Sequence, residues 1–313
     1  MTASLRQRFP ALALLGPEKS FAHPWIGHPT LNRMGLHLAR IGLADAAASA
    51  RRLQVGGLWP PDAVRTLRRD GVVVVPGWLA PDQFDRLRAE VRARVATSEA
   101  KAPIGAGTDR GFGPRRPFPG GFDRWDGGTL NRFLPIDPAA TPRVAAFACD
   151  RRLARICAVA AGARHHADKI SIYLTVQGPG AANPDPQKEL HRDTFHAAIK
   201  LWYFLEDVAE EHGPLVYVPG SHRLTRPRLR WEHARAVRAC APDHARKGGA
   251  FRLGEDELAA LGLPAPRSYP VRANTLVVAD VRGFHRRGDG RPGARRLALY
   301  GSFRPSPFVP VAY

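Results

Sequence analysis

The second half of the sequence alternates short apolar runs with turn residues, and this alternation constrains the fold more than any other feature. Each run is rich in β-branched or aromatic residues and is shorter than an ordinary helix. Turns rich in glycine and proline separate the runs. The candidate strands are residues 169–177, 199–208, 215–218, 275–281 and 296–303. This pattern predicts a mainly β protein with flanking helices, built as a double-sheet barrel of the jelly-roll type.

The N-terminal part has a helical pattern and predicts a separate segment. Apolar residues at helical spacing predict a helix from about residue 31 to residue 53, and Pro60 and Pro61 separate it from the first strand. This strand is predicted in the run of residues 70–75, bounded by Gly71 and Pro76, where it would be buried, and a helix begins at Pro81. We therefore predict an N-terminal helical extension over residues 1–60 and a barrel domain over residues 61–313.

Two stretches inside the barrel domain have the composition of loops or inserts. Residues 101–128 contain eight glycines among Pro, Arg and Phe, which is typical of a functional loop, a lid or a disordered segment. Residues 223–268 form an insert between candidate strands. In this fold the walls of a pocket come from loops, so these two regions would determine the substrate.

The chain is strongly basic. It has 47 Lys+Arg against 28 Asp+Glu and a formal net charge of +19. This charge predicts either an anionic partner or a compositional bias towards arginine on solvated surfaces, and we favour the second. The run of residues 223–238 has six arginines around Trp231 and could contact a membrane surface or a phosphorylated substrate, although a solvated helix is favoured.

Other classes of protein are excluded by simpler observations. No apolar run is long enough to span a bilayer, and no signal-peptide core follows the N-terminus, which predicts a cytoplasmic protein without a transmembrane segment. Three cysteines with no close pair argue against a disulfide framework or a thiolate zinc site. The oligomeric state is left open.

The sharpest chemical signal is His191-Arg192-Asp193. An imidazole and a carboxylate two residues apart in an extended segment point the same way, so one metal ion can meet both. A third ligand from a late strand would complete the two-histidine, one-carboxylate set that suits non-haem iron(II). His285 follows the strand 275–281 and is the best candidate. A second such pair, His166-Ala167-Asp168, lies in a turn, and a surface role for Asp168 is favoured.

Arg295 and Arg296 open the last strand and predict an anion site beside the metal. A guanidinium suits a bidentate salt link with a dicarboxylate co-substrate. Strand alternation allows only one of the two to point inwards. We favour Arg296, whose face carries Ala298 and Tyr300, over Arg295, whose face carries apolar leucines. Lys200 and Gln177 are weaker candidates, since each could equally lie at the rim.

The order of these motifs resembles the phytanoyl-CoA dioxygenase family. The matching segments are residues 191–196, 200–208 and the glycine-containing 211–222, followed by the late histidine and an arginine eleven residues beyond it. The resemblance covers residues 63–305. It implies a double-stranded β-helix (cupin-like) fold, Fe(II) ligands at His191, Asp193 and His285, and 2-oxoglutarate bound by Arg296 near Trp202, with O2 as the oxidant. Residues 1–60 have no counterpart, and the segment after His285 carries arginines where glycine and asparagine are common.

The resemblance predicts an Fe(II)/2-oxoglutarate-dependent dioxygenase. Halogenating relatives replace the carboxylate ligand with a small residue, so the presence of Asp193 favours hydroxylation of an aliphatic C–H bond. The expected substrate is a small molecule or an anionic one, such as an acyl-CoA, a phosphorylated sugar or a lipid-linked sugar. One alternative is an oxygenase acting on nucleic acid, which the sequence of residues 296–304 disfavours because it lacks the Arg-x-Asn-x-Thr-x-Arg pattern. The other is a catalytically silent, cupin-like binding protein. His222, in the turn after residue 218, is interpreted as structural.

Overall fold

The computed structural model describes residues 10–55, 61–105, 107, 109, 111–162, 166–179 and 184–312. The assignments predicted for residues 1–9 and 56–60, which include Pro60, lie outside these ranges. Within them, the helices are α1 Pro29–Arg33, α2 Leu36–Val55, α3 Pro61–Asp70, α4 Pro81–Lys101, α5 Pro142–Ala148, α6 Arg151–Ala161, α7 Arg226–Ala239 and α8 Asp256–Ala260. Short 3-10 turns occur at Pro10–Leu15, Ala167–Lys169 and Pro186–Lys188.

The strands form two antiparallel sheets. The described strands are β1 Val72–Pro76, β2 Arg116–Phe118, β3 Gly121–Asp126, β4 Thr129–Pro135, β5 Ile170–Val176, β6 Ile199–Phe204, β7 Leu215–Tyr217, β8 Arg267–Tyr269, β9 Thr275–Asp280, β10 His285–Arg287 and β11 Arg295–Phe303. The large sheet has the order β1-β9-β6-β11-β5-β4-β3-β2, and the small sheet has the order β10-β7-β8. The prediction of a mainly β, double-sheet fold with flanking helices is confirmed.

The two faces of the large sheet have different partners, as strand alternation requires. Leu297 and Leu299 of β11 lie on the outer face and pack with the apolar side of α4, including Phe84 and Val91. Ala298, from the same strand, lies on the inner face and packs with residues of the small sheet such as Leu215. The space between the sheets is therefore lined by the alternate set of residues, which includes position 296.

The N-terminal segment departs from its predicted form. The single helix expected over residues 31–53 is two helices, because the chain breaks at Gly35, whose φ of 99° is unfavourable for other residues. The second of these helices, α2, packs against α6 and α7. The helix α2 thus joins the N-terminal segment to the rest of the chain, and the division into an extension and a barrel domain stays a prediction.

The glycine-rich region is more regular than predicted. Residues 116–118 and 121–126 form β2 and β3 and extend the large sheet beyond β4, so the interpretation of 101–128 as a loop or disordered segment is wrong for them. Residues 106, 108 and 110 of this stretch lie outside the described part. The 223–268 region contains α7, α8 and the start of β8.

The arginine-rich helix α7 is only partly a solvated surface. Arg228 is buried and bonds to Glu232, at 2.9 Å between Nη2 and Oε1, one turn further along. Arg226, Arg230 and Arg238 are exposed, as expected of a solvated helix. None of the described helices has both the length and the apolar character needed to cross a membrane.

Candidate metal centre

His191, Asp193 and His285 come together in a buried group. One ligand atom from each lies within 4.8 Å of the other two. Asp193 Oδ1 is 3.5 Å from Nε2 of His191 and 3.8 Å from Nε2 of His285. A search of the described residues for three or more His, Cys, Asp or Glu side chains close enough to share one metal ion finds this group.

The backbone fixes where these side chains start. His191 forms a β-bridge with His285 at the start of β10, and Asp193 N donates to the carbonyl of Val281 at 2.9 Å. Gly283 allows the close approach that this requires, because a Cβ there would lie 1.8 Å from the hydroxyl oxygen of Tyr217. The segment that carries the third ligand is thereby held against the small sheet.

Hydrogen bonds orient both imidazoles. Nδ1 of His191 lies 2.7 Å from the carbonyl oxygen of Glu189, and Nδ1 of His285 lies 2.9 Å from that of Gly283. A carbonyl only accepts, so each Nδ1 carries the proton and each Nε2 presents a lone pair. Carbonyl partners of this kind are the usual second contacts of metal-bound histidines.

The Nε2 atom of His285 is buried and has no hydrogen-bond partner. Buried polar atoms in proteins rarely lack a partner, so this atom points to a missing ligand. Burial, together with the proximity of His191, lowers the pKa of His285 to about 3. The imidazole is therefore neutral at physiological pH, which is the form that binds metals.

Asp193 is surrounded by cations that the sequence did not single out, apart from Lys200. Its Oδ2 accepts from Lys200 Nζ and from Arg304 Nη2, both at 2.8 Å. The ammonium of Lys19 donates to its backbone oxygen at 2.5 Å. Burial alone would raise the pKa of Asp193, but its surroundings, Lys200 first among them, hold it well below the usual range. The carboxylate is ionised, with Oδ1 turned towards the histidines.

A cavity of about 210 Å³ is lined by Asp193 and His285 of this group. Lys200, Trp202 and Arg296, which the sequence analysis named as candidates for co-substrate contacts, all line it, and the contacts themselves stay a prediction. Other cationic and aromatic side chains in its wall were not predicted. They are Arg124, Phe133, Tyr173, Phe204, Arg286, Arg287 and Arg304, whereas Tyr300 had been placed on the same face as Arg296.

Arg295 and Arg296 point to opposite sides of β11. Arg296 lines the cavity and donates to the carbonyl of Gly213. Burial, and secondarily Arg287, lowers its pKa to about 10, so it stays charged at neutral pH. Arg295 is exposed and pairs with Glu99 of α4 at 2.5 Å. Of the two arginines, only Arg296 can meet a ligand in this cavity.

Gln177 is not part of the cavity wall. It is buried beyond the end of β5, and its Nε2 donates to the carbonyl of His212 at 3.3 Å. A Cβ at Gly213 would lie 2.5 Å from the same nitrogen. Gln177 therefore contacts the turn whose Gly213 carbonyl holds Arg296.

Asp168 and His222, two further residues considered from the sequence, lie outside the group of His191, Asp193 and His285. Asp168, of the second His-x-Asp pair, is exposed and bonds to Lys169 at 2.7 Å. His222 is buried, with Nε2 3.2 Å from the carbonyl of Arg68, as a structural residue would be.

The residue between the two ligands of the His-x-Asp pair has a partner of its own. Arg192 points away from the ligands and is 1% exposed. It makes two bonds to Glu232 of α7, of 2.9 and 2.6 Å, and Glu232 also lies 3.1 Å from His37 of α2. The ligand segment is thus joined to the N-terminal segment and to the insert, which no local sequence pattern indicates.

Comparison with known proteins supports a family assignment. The sequence profile described as phytanoyl-CoA dioxygenase matches residues 67–247, a range that includes His191 and Asp193. No curated protein matches the chain.

Solved structures resemble the chain only distantly. The epimerase SnoN, solved with Fe3+, alpha ketoglutarate and nogalamycin RO, is 19% identical, with 78% of this chain and 85% of that chain covered and a TM-score of 0.45. AviO1 from Streptomyces viridochromogenes is 22% identical, with 80% and 97% covered and a TM-score of 0.45. HygX from Streptomyces hygroscopicus, solved with nickel and 2-oxoglutarate, is 18% identical, with 79% and 88% covered and a TM-score of 0.42. These likenesses are too low to bear on the chemistry. The profile match, in contrast, spans more than half of the sequence, and the chain belongs to the phytanoyl-CoA dioxygenase family.

Proposed function

We propose that this chain is an Fe(II)- and 2-oxoglutarate-dependent dioxygenase that hydroxylates an aliphatic C–H bond of a small anionic molecule. The observation that carries the proposal is the buried, unpartnered Nε2 of His285 beside His191 and Asp193. Two imidazoles and one carboxylate on one side of a metal leave its other positions open, which is the arrangement of non-haem iron(II) oxygenases.

The donor atoms fit iron(II). His191 and His285 would bind through Nε2 and Asp193 through Oδ1, while the opposite atoms of all three stay occupied by protein hydrogen bonds. When bound there, iron(II) with 2-oxoglutarate and O2 would supply the oxidation of a C–H bond, with release of succinate and CO2. The ligands are oriented before a metal arrives, so binding costs little rearrangement.

Arg296 is proposed to bind the distal carboxylate of 2-oxoglutarate. It forms no ion pair with any described residue, and its guanidinium lies in the cavity wall. Trp202 and Tyr300, whose rings lie 5.9 Å apart, would flank the carbon chain. Gln177 would act only through the turn at residues 212–213. Lys200 would hold Oδ2 of Asp193 and so fix which carboxylate oxygen faces the metal.

The charge of the cavity wall supports an anionic substrate. The wall contains Arg124, Arg286, Arg287 and Arg304 in addition to the residues already assigned, and Asp193 is its only carboxylate among the described lining residues. Asp126, Asp289 and Asp185 pair with Arg124, Arg286 and Arg287 from behind the wall, so six cations face four carboxylates and an excess of positive charge remains. Such a surface attracts negative charge and discriminates against cations. A volume of about 210 Å³ is small for a ligand site, so the cavity would take a small molecule or the reactive part of a larger one.

A cytoplasmic location of the protein stays a prediction.

The first test is anaerobic addition of Fe(II) and 2-oxoglutarate to the metal-free protein. A weak visible charge-transfer band is expected, and admission of O2 is expected to give succinate, increased by the correct substrate. Asp193→Ala should abolish both signals. The matched control is Asp168→Ala, which removes the exposed carboxylate of the other His-x-Asp pair and should behave like the wild type.

Each other outcome favours a different function. A band without succinate under any condition would favour the catalytically silent binding protein. Salt-dependent DNA binding together with succinate release on nucleic acid would favour the nucleic-acid oxygenase. Retention of both signals in Asp193→Ala would refute the metal site itself.

A further inference from the structure

A second and larger cavity lies away from the metal centre. Its volume is about 580 Å³. It is bordered by α2, by α3, by the end of α6, by the turn at residues 222–224 and by the segment after β9, and it is open to solvent on the side of the exposed Arg68 and Arg223. None of the residues that line the metal cavity lines this one.

The polar part of its wall carries more positive than negative charge. Its two aspartates, Asp45 and Asp280, both bond to Arg282, at 2.8 and 3.0 Å. Arg52, Arg68 and Arg223 also line the cavity. In the part of the chain that the structure describes, none of these three forms an ion pair. The four arginines therefore exceed the two aspartates, and the excess positive charge lies on the three unpaired guanidinium groups.

The hydrogen-bonding groups of these arginines are also incompletely used. Arg52 donates from Nη2 to the carbonyl of Ala160 at 2.8 Å, but its buried Nε has no partner. Burial, followed by the charge of Arg282, lowers the pKa of Arg52, although Asp280 and Asp45 act in the opposite direction. Arg223 donates only to the backbone oxygen of Arg69, at 2.9 Å. Donors remain free to meet an oxyanion.

The rest of the wall is apolar. Leu53, Leu67, Val159 and Leu224 line it beside the arginines. A ligand that uses the whole cavity would have an apolar part as well as a negative one.

We propose that this cavity binds an organic phosphate ester, with its phosphate among Arg52, Arg68 and Arg223 and its apolar group against the leucines and Val159. Several guanidinium groups in the wall of one cavity match a dianionic phosphate with three free oxygens better than a carboxylate, which one arginine can satisfy. Such binding requires neither the metal centre nor the proposed oxygenase activity.

The test is isothermal titration of the metal-free, 313-residue chain with phenyl phosphate at low salt. Inorganic phosphate and benzoate serve as the comparison ligands. Phenyl phosphate is expected to bind more tightly than either, because only it offers both parts. Arg68→Gln together with Arg223→Gln should weaken its binding by about tenfold or more, as expected for the loss of charge-assisted contacts.

Two variants locate the binding. Arg226→Gln with Arg230→Gln removes the same charge from exposed positions on α7 outside both cavities, and should change the affinity by less than about twofold. Arg296→Gln alters the metal cavity and should leave binding of phenyl phosphate unchanged. Arg68→Gln alone, which breaks no described side-chain hydrogen bond, should give part of the effect even if the double variant is unstable.

Three results would overturn the proposal. One is the absence of saturable binding of phenyl phosphate to the wild-type protein. Another is equal weakening by the α7 control pair, which would mean a general attraction of anions. The third is loss of binding in Arg296→Gln with retention in Arg68→Gln, which would place the ligand in the metal cavity.

Discussion

His191 and His285 exchange backbone hydrogen bonds at the edge of the small sheet. The nitrogen of His191 lies 3.0 Å from the oxygen of His285, and the reverse pair is separated by 2.8 Å. This reciprocal pairing fixes the two Cα atoms, and the carbonyl partners of each Nδ1 fix the rings. The geometry of the metal centre is therefore a property of the fold and does not need the metal to create it.

Metal binding should accordingly add stability without refolding the chain. We expect the chelator-treated protein to keep its far-UV circular dichroism spectrum and its cooperative unfolding. A divalent metal at about 100 times its Kd should then add about 2.7 kcal/mol, or a few degrees in Tm. Asp193→Ala should fold but lose this metal-dependent increment, as thermal melts with and without metal would reveal. A gross loss of secondary structure on chelation would contradict the preformed site.

Arg296 and Arg295 of β11 allow a matched pair of variants to be compared in their affinity for 2-oxoglutarate. Arg296→Gln should raise the Kd for 2-oxoglutarate by about 10- to 100-fold, because it removes a charged hydrogen-bond donor from the cavity wall. Arg295→Gln carries the same change of charge but removes only the exposed pair with Glu99, and should have little effect. The affinity can be measured by anaerobic titration of the charge-transfer band. Similar effects of the two changes would remove Arg296 from the co-substrate site.

Strand alternation explains why the sequence could predict this much of the site. Once β11 is recognised, period two separates Arg296 with Ala298 and Tyr300 from Arg295 with Leu297 and Leu299. The His-x-Asp spacing works in the same way. These predictions depend only on local geometry, which is why they agree with the structure.

The cations around Asp193 and the support of Arg192 could not be predicted in this way. Lys19 reaches Asp193 from the N-terminal segment, and Glu232 reaches Arg192 from α7. Both contacts depend on how distant helices pack, and no period in the sequence encodes that packing. The strands β2 and β3 were missed because the proline and glycines at and between them (Pro117, Gly120 and Gly121) disfavour strands unless a neighbouring strand provides the hydrogen bonds, as β4 does for β3 and β3 does for β2.

Glu232 is expected to be important for stability. It is 1% exposed and lies between Arg192 and Arg228, with His37 on the same carboxylate. Glu232→Gln would leave two buried guanidinium groups without a counter-charge, and should cost about 3–5 kcal/mol in the free energy of unfolding. Glu206→Gln breaks the exposed pair with Arg92 and should cost less than about 1 kcal/mol. Urea denaturation of the two variants tests this difference, and equal costs would contradict it.

The free energy of unfolding of the metal-free protein should fall at a pH above the range in which its carboxylates protonate. His196 is the residue chosen to test this. Burial lowers the pKa of His196 to about 3, and His285 behaves in the same way in the absence of metal. Both are neutral in the folded protein at pH 5, whereas in the unfolded chain they titrate near their usual pKa of about 6.5. Unfolding therefore takes up about two protons at these two histidines at pH 5, and stability falls as the pH drops from about 6.5 towards 3. The buried His37 and His222, whose pKa is also lowered, act in the same direction. The expected slope from these two groups is about 2.7 kcal/mol per pH unit near pH 5. Carboxylates with lowered pKa, such as Asp193 and Asp280, contribute only at lower pH.

His196→Asn should reduce the slope by about half of that amount in urea titrations between pH 5 and pH 6 with chelator present, because it removes one of the two protons taken up. An unchanged slope in this variant would mean that His196 is accessible to protons in the folded state.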